Sequence, residues 1–320
     1  MKPKQQPESP SALHYRTFAL PLRSSFVLPG LAPAPAEPEA LALHLVPDSH
    51  IQRLWSGADG DPVWITAIDG RPYTMTLGRD SDYLMTYGQD ASFLLSADLR
   101  ELRCSPSRPA DPGWRRFLLD TVLWSASLLR GVELMHASAV QGGTGVTAFA
   151  AFSGGGKTSL ARELMRRGAS LFADDILALP PAGGELRAHP GPALMNLPRQ
   201  SGGHDRVGDV LGRFPEEDWV TVPSPACEPD RIAAVCLLRR RSGAGLALRR
   251  LRPTVLDLLP FTLGFPHLRG RLRQRFMLFA RLAAEVPVYE LSAPLDAPPR
   301  PLADLVEPLV LGPDRQERAA

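Results

Sequence analysis

Cysteine, net charge and long apolar runs are all in short supply in this 320-residue sequence. Its three cysteines, Cys104, Cys227 and Cys236, stand far apart with no Cys-x-x-Cys spacing. They give neither a disulfide framework nor a zinc site and read as ordinary thiols of a reducing compartment. A formal charge of +2 offers no overall attraction to nucleic acid or to an anionic membrane surface. No stretch reaches the roughly 18–20 uninterrupted apolar residues of a membrane helix. The opening MKPKQQPESPSALHY has no apolar run of the secretory kind. A cytoplasmic protein with no nucleic-acid and no membrane partner is the expectation. Lysine is rare while arginine, alanine and proline abound, and that bias alone implies nothing physical.

What is present is ordinary globular usage, with 44% hydrophobic residues. The length suits one large domain or two ordinary ones and can bury a core without disulfides or a structural metal. Residues 1–13 read as a disordered tail. Residues 14–112 carry short apolar segments broken by Gly, Pro and Asp, such as 62–67, 73–77 and 82–87, which predicts a β-rich N-terminal region. The punctuated stretch 106–112 marks a boundary. Beyond it, residues 114–129 have near-helical apolar spacing, with Gly131 placed to stop the helix. The pattern then becomes strand, glycine loop, helix, strand, so residues 113–311 form one α/β domain and 312–320 a frayed tail.

The chemistry concentrates after residue 146. VTAFAAF (146–152) is a β-branched, aromatic and apolar run of strand length. SGGGKT (153–158) follows, and then a helical stretch with Leu160, Ala161 and Leu164 on one face, Arg166 and Arg167 in its last turn, and Gly168 just past its end. A strand entering a glycine loop that opens a helix is the context in which a phosphate-binding loop (P-loop, Walker A) is expected. Glycines leave backbone N–H groups free to face phosphate oxygens, and the helix N-terminus adds donors and a favourable dipole. Ser153, Gly154, Gly155, Gly156, Lys157, Thr158 and Ser159 are therefore the expected nucleotide-binding residues. Lys157 reaches the β/γ oxygens and the Thr158 hydroxyl ligates Mg²⁺. The strict pattern wants glycine at 151; Ala151 fits if its φ is negative.

Downstream, LFADDILAL (171–179) sets Asp174 and Asp175 inside an apolar strand, where two carboxylates are costly unless a metal, a cation or donors pair them. If that strand returns parallel beside the strand of the loop, both carboxylates reach the phosphates. One would take the proton of an incoming hydroxyl and the other would hold the metal or its waters.

LMHASAV (134–140), SGGGKT, the helix ending in RRG (166–168) and ADD (173–175), in this order and spacing, resemble the HPr kinase/phosphorylase family and its stand-alone relatives. The resemblance is good over residues 136–179 and weak elsewhere. It implies an α/β, mixed-sheet kinase domain like the C-terminal domain of that family, with ATP and Mg²⁺ as cofactors. It implies Lys157 and Thr158 on phosphate and metal, Asp174 as base, Asp175 near the metal, and His136 beside the nucleotide or acceptor. CEPDRIAAVCLL (227–238) is similar to a family segment whose arginine points at the active site, which implies that Arg231 stabilises the transferred charge. The glycine- and asparagine-rich signature of true HPr kinases is not recognisable, so HPr as substrate and phosphorolysis are not carried over. The better analogues act on serine of a small molecule or of a peptide precursor.

Residues 231–251 read as a hairpin with a basic, glycine-containing turn. Arg269, Arg271, Arg273 and Arg275 read as a solvated basic face. Residues 271–285 read as a helix with Phe276, Leu278, Phe279, Leu282 and Ala283 inward, before a strand at 286–291. The expected activity is ATP- and Mg²⁺-dependent phosphorylation of a serine-type hydroxyl on a small molecule, a peptide precursor or a protein. The alternative is a nucleotide-sensing module or an NTPase that signals to a partner, and homo-oligomerisation stays open.

Overall fold

The N-terminal strands form because apolar and polar residues alternate along them, so that one face of each can be buried. In the computed structural model, which describes residues 12–55, 57, 60, 62–68, 70–179, 185–199, 208–223 and 225–312, the chain divides into two compact units. The first holds the residues up to Val122, apart from Thr17–Ala19, which belong with the second. The division falls later than the boundary expected at residue 112, because helical residues up to Val122 pack with the first unit. The expected tails lie outside the described residues, except for Ala12, Leu13 and Gly312, and Leu13 already begins a strand.

The first unit is one eight-stranded sheet. Its strands are β1 (Leu13–Thr17), β2 (Leu20–Ser24), β3 (Leu41–Leu45), β4 (Pro62–Ile68), β5 (Arg71–Leu77), β6 (Tyr83–Tyr87), β7 (Ala91–Leu95) and β8 (Glu101–Pro106), in the order β1-β2-β3-β8-β7-β6-β5-β4. Helix α1 (Asp48–Leu54) follows β3. Helix α2 (Gly113–Phe117) runs into a π-helical turn, Leu118–Val122. Its Phe117 stacks on Tyr87 at 4.3 Å and meets Tyr73 edge-on at 5.1 Å. This aromatic cluster covers the inner face of β5 and β6, where Tyr73, Met75, Met85 and Tyr87 are buried.

The second unit begins with α3 (Leu123–Leu129), which gives way after Gly131, at φ 107°, to β9 (Glu133–Gly142). It continues with β10 (Gly145–Ala150), α4 (Lys157–Arg166), β11 (Ser170–Ala173), β12 (Ile176–Leu179), β13 (Arg187–Ala188), β14 (Leu194–Pro198), β15 (Val210–Arg213), β16 (Glu217–Thr221), β17 (Asp230–Arg240) and β18 (Ala247–Arg250). Then come α5 (Val255–Leu258), a 3₁₀ turn (Leu259–Phe261), β19 (Thr262–Leu263), α6 (Leu272–Glu285), β20 (Val288–Ala293) and α7 (Pro299–Leu311). The main sheet runs β11-β9-β10-β17-β20-β18, with β12 and β19 also on β9 and β13 on β17; β14, β16 and β15 form a small separate sheet. The fold is thus mixed α/β.

Three pairings decide where side chains arrive. β10, β17 and β20 are mutually parallel, while β9 runs antiparallel to β10 and to β11. β10 and β11 therefore point the same way, with β9 between them rather than side by side. Alternation along β9 sends Met135, Ala137 and Ala139 into the core shared with α5 and α6, and Val140 into the core shared with α4 and α7. His136 and Ser138 have the parity of Val140 and so face the α4 side.

Three local expectations are corrected. Residues 231–251 are not a hairpin, because β20 inserts between β17 and β18, parallel to one and antiparallel to the other. The helix expected at 271–285 is present as α6 with Leu278, Phe279, Leu282 and Ala283 buried, but Phe276 is exposed. The arginine face is also divided. Arg269 and Arg273 are solvated, whereas Arg271 and Arg275 converge on the fully buried Glu133, each at 2.7 Å. Arginines at i and i+4 share one helix face, which explains the split.

Candidate functional site

Between β10 and α4 the chain makes a tight turn, Gly155 N–H donating to the Phe152 carbonyl at 3.0 Å. Gly154 and Gly156 are left-handed, at φ 75° and 90°. Ala151 keeps a negative φ and is buried. Its methyl fits because residue 155 is glycine: a Cβ there would lie 2.6 Å from the Ala151 Cβ. Gly156 is the N-cap of α4, with no side-chain cap, so the first-turn N–H groups open toward the turn.

Lys157 leaves the first position of α4 and folds back along this turn. Its side chain is 6% exposed, and Nζ lies 3.2 Å from the Ala151 carbonyl, 3.1 Å from His136 Nε2 and 3.5 Å from Asp175 Oδ1. It is the only lysine after residue 4.

The two aspartates sit where β11 hands over to β12. Both strands pair antiparallel with β9, Ala173 opposite Ala139 and Ile176 opposite His136. Asp174 and Asp175 break this run at a γ-turn: Ile176 N–H donates to the Asp174 carbonyl at 2.9 Å across Asp175, at φ 68°. On a regular strand the two would face opposite sides; the turn brings both carboxylates to one edge.

Their surroundings differ. Asp174 Oδ1 accepts from Ser138 Oγ at 2.7 Å and Thr158 Oγ1 at 2.9 Å. Burial first, and then the neighbouring Asp175 charge, push its carboxyl up to about 6 against those two hydrogen bonds and a third from the Asn196 backbone N–H. Asp175 is exposed; its Oδ1 is 2.8 Å from His136 Nε2. Desolvation pulls its pKa upward, but the His136 hydrogen bond and the Lys157 charge prevail, and it lies below the ordinary carboxylate value.

The sequence-derived residues Ser153–Ser159, His136, Asp174 and Asp175 thus gather at one edge of one sheet. Within the aspartate pair the placement is the reverse of the expectation: Asp174, not Asp175, meets Thr158, and Asp175 meets Lys157. Arg231 does not join them. It begins β17, which runs parallel to β10, so it lies beside Gly145 at the opposite end of the sheet.

Arg240, at the other end of the same strand, takes that place. Its Nε donates to the Gly155 carbonyl at 3.0 Å, and Nη1 to the carbonyls of Pro294, Leu295 and Ala297 at 3.3, 3.1 and 2.8 Å. Sequence reading missed Arg240 and Ser138. The second had a signal, being two residues from His136 on a strand. A cleft of about 710 Å³ in the first unit, lined by residues such as Leu45, Asp48, Gln89 and Ser107, contains none of these groups.

No family model matches the chain, and no curated protein matches it. Among solved structures, the Hpr(Ser) kinase/phosphatase from Coxiella burnetii is similar over 58% of this chain and 90% of that one, with 16% sequence identity and a TM-score of 0.31. Among the described residues no helix is long and apolar enough to cross a membrane.

Proposed function

We propose that this protein is an ATP- and Mg²⁺-dependent kinase that moves the terminal phosphate of ATP to a serine-type hydroxyl. The observation that carries the reading is the convergence of Lys157, the uncapped start of α4 and the two unlike carboxylates at one sheet edge. Backbone N–H groups of the turn and the first turn of α4 cradle the phosphates. Lys157 sets its charge on the β/γ oxygens.

Asp174 and Thr158 are the residues that would hold magnesium. Both offer hard oxygen donors 2.9 Å apart, and burial disfavours the Asp174 anion unless a cation joins it. Among the described residues no group of three or more His, Cys, Asp or Glu could hold a metal. Such an ion neutralises charge on the phosphate oxygens when bound.

Asp175 is the base. It is ionised at neutral pH, reachable from solvent and oriented by His136. The acceptor oxygen attacks the γ-phosphorus in line. As that bond forms, the bond from the γ-phosphorus to the bridging oxygen breaks, ADP leaves with its electron pair, and the hydroxyl proton passes to Asp175.

The test is transfer from γ-labelled ATP in Mg²⁺ to free serine, seryl peptides and HPr protein, with Lys157→Ala and Asp175→Asn alongside. A labelled product lost in both variants is expected. Equal transfer by Lys157→Ala would end the reading.

A further inference from the structure

Phe152 opens the tight turn and is 61% exposed. A large aromatic in a phosphate-binding turn contributes nothing to cradling phosphates, so its exposure asks for another role. It is not isolated. Its ring lies 5.3 Å from that of Phe261, tilted by 39°, and Phe261 is buried at the end of the 3₁₀ turn. The next residues, Thr262 and Leu263, pair with Met135 and Leu134 of β9, which fixes Phe261 beside the start of the strand that carries His136.

Phe261 also meets Arg239, whose guanidinium carbon stands 5.9 Å from the ring centroid. Arg240 is tied to four carbonyls, whereas the Arg239 guanidinium lies over the Phe261 ring. Phe152, Phe261 and Arg239 therefore make a small platform, apolar at its centre and cationic at its rim.

The end of the nucleotide that this platform borders follows from Lys157. Its ammonium, which by the proposed function marks the terminal phosphate, rests on the carbonyl of Ala151, the residue directly before Phe152. Phe152 thus flanks the γ-phosphate end of the turn, the end that an acceptor hydroxyl must reach. Resting on that reading, we infer that Phe152, Phe261 and Arg239 dock the acceptor. They select a hydroxyl compound that carries an aromatic or bulky apolar group next to a carboxylate. The ring packs on Phe152, and Arg239 takes the carboxylate in a charge-assisted hydrogen bond.

Four acceptors test this with the full-length protein, γ-labelled ATP and Mg²⁺: Ser-Phe, Ser-Phe amide, Ser-Ala and free serine. Binding of the non-hydrolysable analogue AMP-PNP is measured in parallel by calorimetry. Ser-Phe is expected to exceed both Ser-Ala and its own amide at least tenfold in kcat/KM. Phe152→Ala should bring the Ser-Phe to Ser-Ala ratio toward one, and Phe152→Leu should keep most of it. Arg239→Gln should erase the difference between acid and amide. AMP-PNP affinity should stay within about twofold in all three variants, which also shows that they fold.

Equal kcat/KM for Ser-Phe and Ser-Ala overturns the inference. So does loss of AMP-PNP binding in Phe152→Ala, which would give the platform to the nucleobase. Transfer to none of the four acceptors by a protein that binds AMP-PNP also overturns it and leaves the nucleotide site standing. Failure of the unmodified protein to bind AMP-PNP removes the kinase reading itself.

Discussion

Asp174→Asn should stabilise the ligand-free protein while abolishing phosphate transfer. Asp174 is lifted from 3.8 to about 6, chiefly by burial. That rise, at about 1.4 kcal/mol for each tenfold change in proton affinity, means that ionised Asp174 costs the fold roughly 2–3 kcal/mol. Partial solvent contact favours the lower figure. Asparagine removes the charge and retains one oxygen for the Ser138 and Thr158 donors, and the Asn196 backbone N–H, which also donates to this carboxylate, must share that oxygen. For a unit of this size the gain corresponds to roughly 4–10 °C in Tm. The folded chain takes up the Asp174 proton at higher pH than the unfolded chain does. The penalty is therefore complete above pH 6 and fades as pH falls toward 3.8, and the advantage of asparagine fades with it. Calorimetric scans with EDTA at pH 7.5 and 4.5 measure both effects. An unchanged or lower Tm for the variant at pH 7.5, or a gap at pH 4.5 as large as that at pH 7.5, would refute the reasoning.

Three further outcomes follow from the geometry. Asp175→Asn should lower kcat roughly 10²–10⁴-fold while ATP affinity, read by calorimetry, changes little, because it removes a proton acceptor and not a phosphate contact. Gly156→Ala forces a side chain into φ 90° with its Cβ 2.9 Å from Arg240 Nη2; ATP affinity should fall at least tenfold, and retained affinity would argue against the turn as the phosphate cradle. Glu133→Ala leaves Arg271 and Arg275 half-buried without their shared carboxylate, which should cost about 3–5 kcal/mol in urea unfolding, whereas a loss under 1 kcal/mol would make the triad ornamental.

The strand, glycine turn and helix around Lys157 were legible because their determinants are local: apolar periodicity, glycines at left-handed positions and a stop at Gly168. The gathering of His136 and the aspartates was legible only through their resemblance to a family, since β9 lies between β10 and β11 and nothing in the local pattern announces that pairing. Strand direction was beyond reach. Arg231 and Arg240 stand at opposite ends of one strand, and only its parallel pairing with β10 decides which of them meets the turn. The placement of Asp174 and Asp175 was hidden for a similar reason, because it depends on a positive φ at a residue that is not glycine. Glu133 did leave a trace, as a lone carboxylate in an apolar strand upstream of two arginines at helical spacing.

The clamp made by Arg240 also orders events during synthesis. The turn is complete once residue 156 is made, but its brace needs Arg240, and Arg240 is itself held by carbonyls of Pro294, Leu295 and Ala297. Helix α7 arrives later still, and the hairpin before β10 is fastened to it through Thr144 and the Leu309 carbonyl. Chains emerge N-terminus first. A nascent polypeptide would therefore carry Lys157 and the two aspartates beside an unbraced turn until the segment from Pro294 to Val310 has been made, so the turn would be fastened well after it first forms.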